Sequence, residues 1–144
     1  MNSLSKAAFL APLFALAVIA NAETLKVQVF NGTTGKPVAN EHVNIFLGKD
    51  SGDLASNRNI GEFNTDADGI FTVSQFAAET HSFTVYVNWH KPCAKNLTTF
   101  SLQEIFSKGV VSENSCRSKL ERSVTPGTLI LFVRDETFFE KMAH

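Results

Sequence analysis

The sequence predicts an all-β fold, a small antiparallel β-sandwich with two short helices added. Three observations predict it. Apolar residues alternate with polar ones over several stretches of five to eight residues, the period of a strand with one face buried. Two segments, Asn31-Gly32-Thr33-Thr34-Gly35-Lys36-Pro37-Val38 and Thr65-Asp66-Ala67-Asp68-Gly69-Ile70-Phe71, concentrate residues that tolerate or enforce turns. Helical periodicity is confined to two short stretches, after Ser101 and after Asp135.

Before the fold begins, Lys6, the apolar run Ala7 to Ala20 and the ending Ala20-Asn21-Ala22 have the layout of a secretory signal peptide cleaved near Ala22. The run is about 14 residues where roughly 20 span a bilayer, so no membrane span is expected. Residues 23–144 then form one domain with one core. Removing Lys6 from the 13 basic residues leaves 12 against 14 acidic ones. With neither sign dominant, overall charge gives no case for a nucleic-acid or anionic-membrane binder, although Arg117, Lys119 and Arg122 make one local basic cluster. Two cysteines in an exported chain, Cys93 and Cys116, predict a disulfide closing a loop of about 24 residues.

Along the domain, Leu25, Val27 and Val29 face inward from the first strand, Leu25 to Phe30. His42 to Leu47 turns Val43, Ile45 and Leu47 to one side, and His42, Asn44 and Phe46 to the other. Gly48 to Asn59 lacks periodicity and reads as an exposed loop. Ile60 to Asn64 and Ile70 to Gln75 read as a hairpin about Asp66-Ala67-Asp68-Gly69. Ser82 to Trp89 is the best core strand, with Phe83, Val85, Val87 and Trp89 inward and Tyr86 outward. Ser101-Leu102-Gln103-Glu104 is a capping box for a helix of about two turns that stops at Gly109. Gly127 to Asp135 is a strand apolar on consecutive positions, so both of its faces should be covered. Asp135 would cap a last helix, Glu136 to Ala143, whose Phe138, Phe139 and Met142 would lie against an open face or edge of the sandwich.

The two turns, through Thr34-Gly35-Lys36-Pro37-Val38 and Thr65-Asp66-Ala67-Asp68-Gly69-Ile70-Phe71, resemble those of the carboxypeptidase regulatory-like domains, a branch of the transthyretin-like, prealbumin-type sandwiches. The resemblance covers the first half of the domain and thins from His90 onward. It implies a seven-stranded Greek-key sandwich of transthyretin-like or immunoglobulin-like kind, used as a folding aid, spacer or recognition module. Fragments of the second half, such as Glu104-Ile105 and Pro126-Gly127, look like an extension found in small exported bacterial proteins. The transthyretin relatives include a hydrolase of 5-hydroxyisourate, which needs a histidine in its first strand and a terminal Tyr-Arg-Gly-Ser. Leu25 to Phe30 has no histidine and the sequence ends Met142-Ala143-His144, so that catalytic set is absent.

Other chemistry finds little support. Asn64-x-Asp66-x-Asp68-Gly69 opens like a calcium loop, but Gln75 stands where a bidentate glutamate is needed, and a turn stapled by its own aspartate is the expectation. His42, His81, His90 and His144 are too scattered for a zinc site and are expected at the surface or at strand edges. No Gly-x-Ser-x-Gly elbow is present. The expectation is therefore an exported, monomeric, non-catalytic module for protein recognition or structural support, without cofactor. A carbohydrate-binding module is the alternative and an unrecognised transthyretin-like hydrolase the third. Contact candidates are Phe46, Tyr86, Trp89, His90, Phe138 and Phe139, with the Gly48 to Asn59 loop and the Trp89 to Cys93 corner. Phe138 and Phe139 carry a test: exposed together they mark an interface, buried they are structural.

Overall fold

The computed structural model describes residues 23–49, 60–76, 79–95, 99–116 and 122–144. The signal-like segment, most of the Gly48 to Asn59 loop, and Arg117 and Lys119 lie outside the described residues. Within them the chain is strand-rich and forms two facing sheets. Nine strands are found among the described residues: β1 (Leu25–Asn31), β2 (His42–Gly48), β3 (Ile60–Asn64), β4 (Ile70–Val73), β5 (Ser82–Val87), β6 (His90–Pro92), β7 (Thr99–Ser101), β8 (Val110–Val111) and β9 (Thr128–Asp135). Two helices join them, α1 (Leu102–Lys108) and α2 (Phe138–Met142).

One sheet runs β4-β1-β9-β6 with β8 also on β9, and the other runs β3-β2-β5-β7. Alternation decides which side chains meet between them. Leu25, Val27, Val29, Val43, Ile45, Phe83, Val85, Val87, Leu129, Leu131 and Val133 form one buried cluster, joined by Leu102 and Ile105 of α1. The other face of β9 is covered too. Ile130 and Phe132 pack with Phe30 and Cys93 in a second cluster, beneath Cys116 and Val124. The Cys93–Cys116 disulfide is formed, and it seals that outer face.

Four expectations are corrected. β3 and β4 do not pair as a hairpin: β3 pairs with β2 and β4 with β1, so the Thr65 to Gly69 turn carries the chain from one sheet to the other. The turn holds its shape by itself. Asp66 Oδ1 accepts from the amides of Asp68 (2.8 Å) and Ile70 (2.9 Å), and Gly69 has φ 73° in a spot where a Cβ would stand 2.5 Å from the Val29 carbonyl oxygen. Pairing is not purely antiparallel either, because β9 runs parallel to both β1 and β8, as its unbroken apolar run suits.

The third correction concerns the end of β5. The strand stops at Val87, and Trp89 adopts φ 58°, which throws its ring outward to 47% exposure and turns His90 inward to 6%. The alternation that pointed Trp89 into the core is broken by that one backbone kink. The fourth concerns α2, capped by Thr137 and not Asp135. Asp135 is still the last residue of β9, opposite His90. No side chain of α2 is buried, so the helix does not cover the sandwich.

Ser101 caps α1 as expected, accepting from the Glu104 amide at 3.3 Å, while the Glu104 carboxylate meets Lys108 Nζ at 2.9 Å. Gly109 ends the helix at φ 79°. No helix among the described residues is long and apolar enough to cross a membrane.

Candidate functional site

The end of the molecule where β5 turns into β6 and β9 runs into α2 gathers four of the candidate residues: Trp89, His90, Phe138 and Phe139. The backbone holds them together. The Glu136 amide donates to the Trp89 carbonyl at 2.9 Å, and β6 pairs with β9 so that His90 faces Asp135.

His90 has both ring nitrogens engaged. Nδ1 lies 2.6 Å from the Asn88 carbonyl oxygen and Nε2 lies 3.0 Å from Asp135 Oδ1. With each nitrogen turned to an oxygen acceptor, the ring works as a bracket between the Asn88-Trp89 turn and the end of β9. Its burial was missed because a lone histidine after an aromatic gives no period, and only the reversal at Trp89 puts it inside.

Further side-chain contacts fix α2 and its flanks. Arg134 grips Glu140 through two nitrogens, at 2.8 and 2.9 Å. Glu140 also completes a capping box, its Oε2 accepting from the Thr137 amide at 2.8 Å and its own amide donating to Thr137 Oγ1 at 3.3 Å. That guanidinium, helped by the Thr137 amide, pulls the Glu140 carboxyl down to about 2. The same pairing raises Arg134. Glu136, with a fully buried side chain, places Oε1 3.3 Å from Lys91 Nζ and 3.4 Å from His144 Nε2, while Oε2 is buried without a partner. Of these groups His144 was weighed from the sequence only as a zinc ligand, and Lys91, Arg134, Glu136 and Glu140 were not singled out as site residues. The signal that would have found them is the run Arg134-Asp135-Glu136-Thr137-x-x-Glu140, which places a cap and three acids directly after an apolar strand.

Held by these polar contacts, α2 turns its apolar side chains to the outside. Phe138 is 71% exposed, Phe139 82% and Met142 69%. The two phenylalanine rings meet edge to face at 5.9 Å. Lys141 Nζ sits 5.9 Å from the centroid of the Trp89 ring, tying that ring to the same tip.

Phe46 and Tyr86 are elsewhere, on the outer face of the β3-β2-β5-β7 sheet. Asn44 opposes Tyr86 and Phe46 opposes Thr84, so the two rings are diagonal neighbours, each half-buried. A cleft of about 420 Å³ opens between the edges β3 and β4, lined by Ile45, Leu47, Phe63 and Val73. Another, of about 610 Å³, lies under α1 beside Phe76, His81, Gln103 and Phe106. No group of three or more His, Cys, Asp or Glu side chains among the described residues is arranged to hold a metal ion.

No family model matches the chain, and no curated protein matches it. Among solved structures, a 9R-lipoxygenase from Cyanothece is similar over 89% of this chain and 17% of its own, at 15% identity and a TM-score of 0.33. So loose a likeness says nothing about activity.

Proposed function

We propose that this chain is an exported, non-catalytic recognition module that docks through its C-terminal tip, built on a Greek-key sandwich of the carboxypeptidase regulatory-like kind. The observation that carries the reading is a helix none of whose side chains is buried, presenting Phe138, Phe139 and Met142 beside a half-exposed Trp89. Adjacent exposed aromatics on a folded domain mark a contact surface, because leaving that area in water is unfavourable unless something covers it. The expected occupant from the sequence is an exported protein or a structure that the module supports. Export is supported by the disulfide and by the signal-like N-terminal segment.

The test is a Phe138→Ser, Phe139→Ser variant. Its urea midpoint should equal that of the parent, and its retention on the exported-fraction components that hold the parent should be lost. Retention unchanged in the double variant overturns the reading.

A second reading, carbohydrate binding, is favoured by the Phe46 and Tyr86 pair on an outer sheet face, where flat rings stand beside Asn44 and Thr84. Glycan-array binding lost on Tyr86→Ala with the fold intact would put that reading first. Turnover of any ester or amide abolished by His90→Gln would instead favour a hydrolase, against the geometry that commits both nitrogens of that ring.

A further inference from the structure

The geometry points to the occupant of the tip: a lipid surface carrying anionic headgroups, into which Phe138, Phe139, Met142 and Trp89 insert. This deepens the reading of the tip as the contact surface and rests on it.

Consider how the side chains of α2 divide around its axis. Successive residues of a helix are rotated by about 100°. Phe138, Met142 and Phe139 therefore share one arc, Lys141 flanks it on the Phe138 side, and Glu140 points the opposite way, where Arg134 holds it in two hydrogen bonds. The exposed arc of the helix thus carries apolar groups and one ionic group, and that group is a cation. Of the acids nearby, Glu136 is buried against Lys91 and His144 and Glu140 is held by Arg134, while Asp135, at the end of β9 and off the helix, meets His90 and keeps its side chain largely exposed. Lys141 instead lies over the Trp89 ring. Its complement is an apolar phase edged by negative charge, which an anionic lipid leaflet supplies over its whole area.

Shape favours the same occupant. The helix is short, its side chains stand outside the sandwich, and it is anchored through its polar side, so a soft phase can take its apolar face without the tip changing shape. Trp89 at the rim matches the preference of tryptophan for the boundary between headgroups and acyl chains.

The chain contains a single tryptophan, so the site carries its own reporter. The purified chain is titrated with vesicles of phosphatidylcholine alone and of phosphatidylcholine mixed with phosphatidylglycerol, and Trp89 emission is followed. The expected result is a blue shift of several nanometres with the anionic vesicles, quenched by lipids brominated near the carbonyl end of the acyl chain. Phe138→Ser with Phe139→Ser abolishes the shift, and Lys141→Glu weakens anionic binding about tenfold or more while leaving the zwitterionic titration unchanged. No shift with either vesicle, or a shift that survives the double phenylalanine substitution, overturns the inference. Should the vesicles give no shift while the double variant still loses its exported-fraction partner, the occupant is a protein. The lipid assignment then falls and the tip remains the contact surface.

Discussion

Replacing Ser112 with alanine should destabilise the domain by about 1–3 kcal/mol, a large effect for the loss of one hydroxyl. The magnitude comes from the outer edge of β9. There β8 accompanies Leu129 and Ile130, and β6 accompanies Val133 to Asp135, leaving Phe132 between two short strands. Ser112 fills the gap. Its amide donates to the Ile130 carbonyl at 2.8 Å, and its Oγ accepts from the Phe132 amide at 2.9 Å. The Phe132 carbonyl in turn accepts from Cys93 at 2.9 Å. Ser112 is 7% exposed and Phe132 1%, so an alanine leaves a buried amide hydrogen with no acceptor and little access to water. Urea unfolding measures the loss, and amide exchange locates it: Phe132 should lose protection before Leu131 does. Ser112→Thr keeps the hydroxyl and should recover most of the stability. A Ser112→Ala domain within about 0.5 kcal/mol of the parent, with Phe132 protection unchanged, would refute the claim that this hydroxyl completes the strand edge.

Further outcomes follow from the same contacts. Replacing Cys93 and Cys116 together with alanine should cost about 3 kcal/mol on the chain-entropy account of a loop whose ends are 23 residues apart, measured as the fall in urea midpoint. Gly32→Ala should lower stability by roughly 1–3 kcal/mol, because the added Cβ would stand 2.4 Å from Asn114 Oδ1 and 2.5 Å from Cys93 Sγ. A Gly32→Ala melting temperature equal to that of the parent would mean the disulfide corner is loosely packed. The Glu140 carboxyl, lowered from 4.5 to about 2 chiefly by Arg134, contributes stability that is fully present above its ordinary range and fades as pH falls from about 4.5 through about 2. A carboxyl carbon titration should place its midpoint near 2, and Arg134→Gln should move that midpoint back up toward 4.5.

Much of the core was legible because period two survives in β1, β2 and β5, where Val27, Val43 and Val85 alternate with polar neighbours. The two-sided burial of β9 was legible from Leu129 to Val133 for the complementary reason, an apolar run without alternation. What escaped was structure made by non-local pairing. β6, β7 and β8 have two or three residues each, too few to show a period, and they exist because β9 or β5 offers an open edge. The hairpin reading of Thr65 to Gly69 failed because the local turn chemistry, which was read correctly at Asp66 and Gly69, is the same whether the flanking strands pair with one another or part into opposite sheets.

The tip was half legible. Phe138 and Phe139 stood out as aromatics next to one another, and the expectation that they would cover the sandwich followed from apolarity alone. Which way a short helix faces is decided by what anchors it. Here Arg134, Glu136 and Glu140 anchor it by charge and leave its apolar arc outward. Trp89 joined that tip only through a positive φ, which its neighbours in sequence do not announce.

The measurement closest to the heart of the account is photo-crosslinking in the producing cells, with a photoreactive residue at position 139 and, as control, at position 68 on the exposed turn between the sheets. The account predicts adducts, to lipid or to protein, from position 139 and none from position 68. Silence at 139 together with adducts at 68 would contradict it, and would move the contact surface to the other turns of the sandwich.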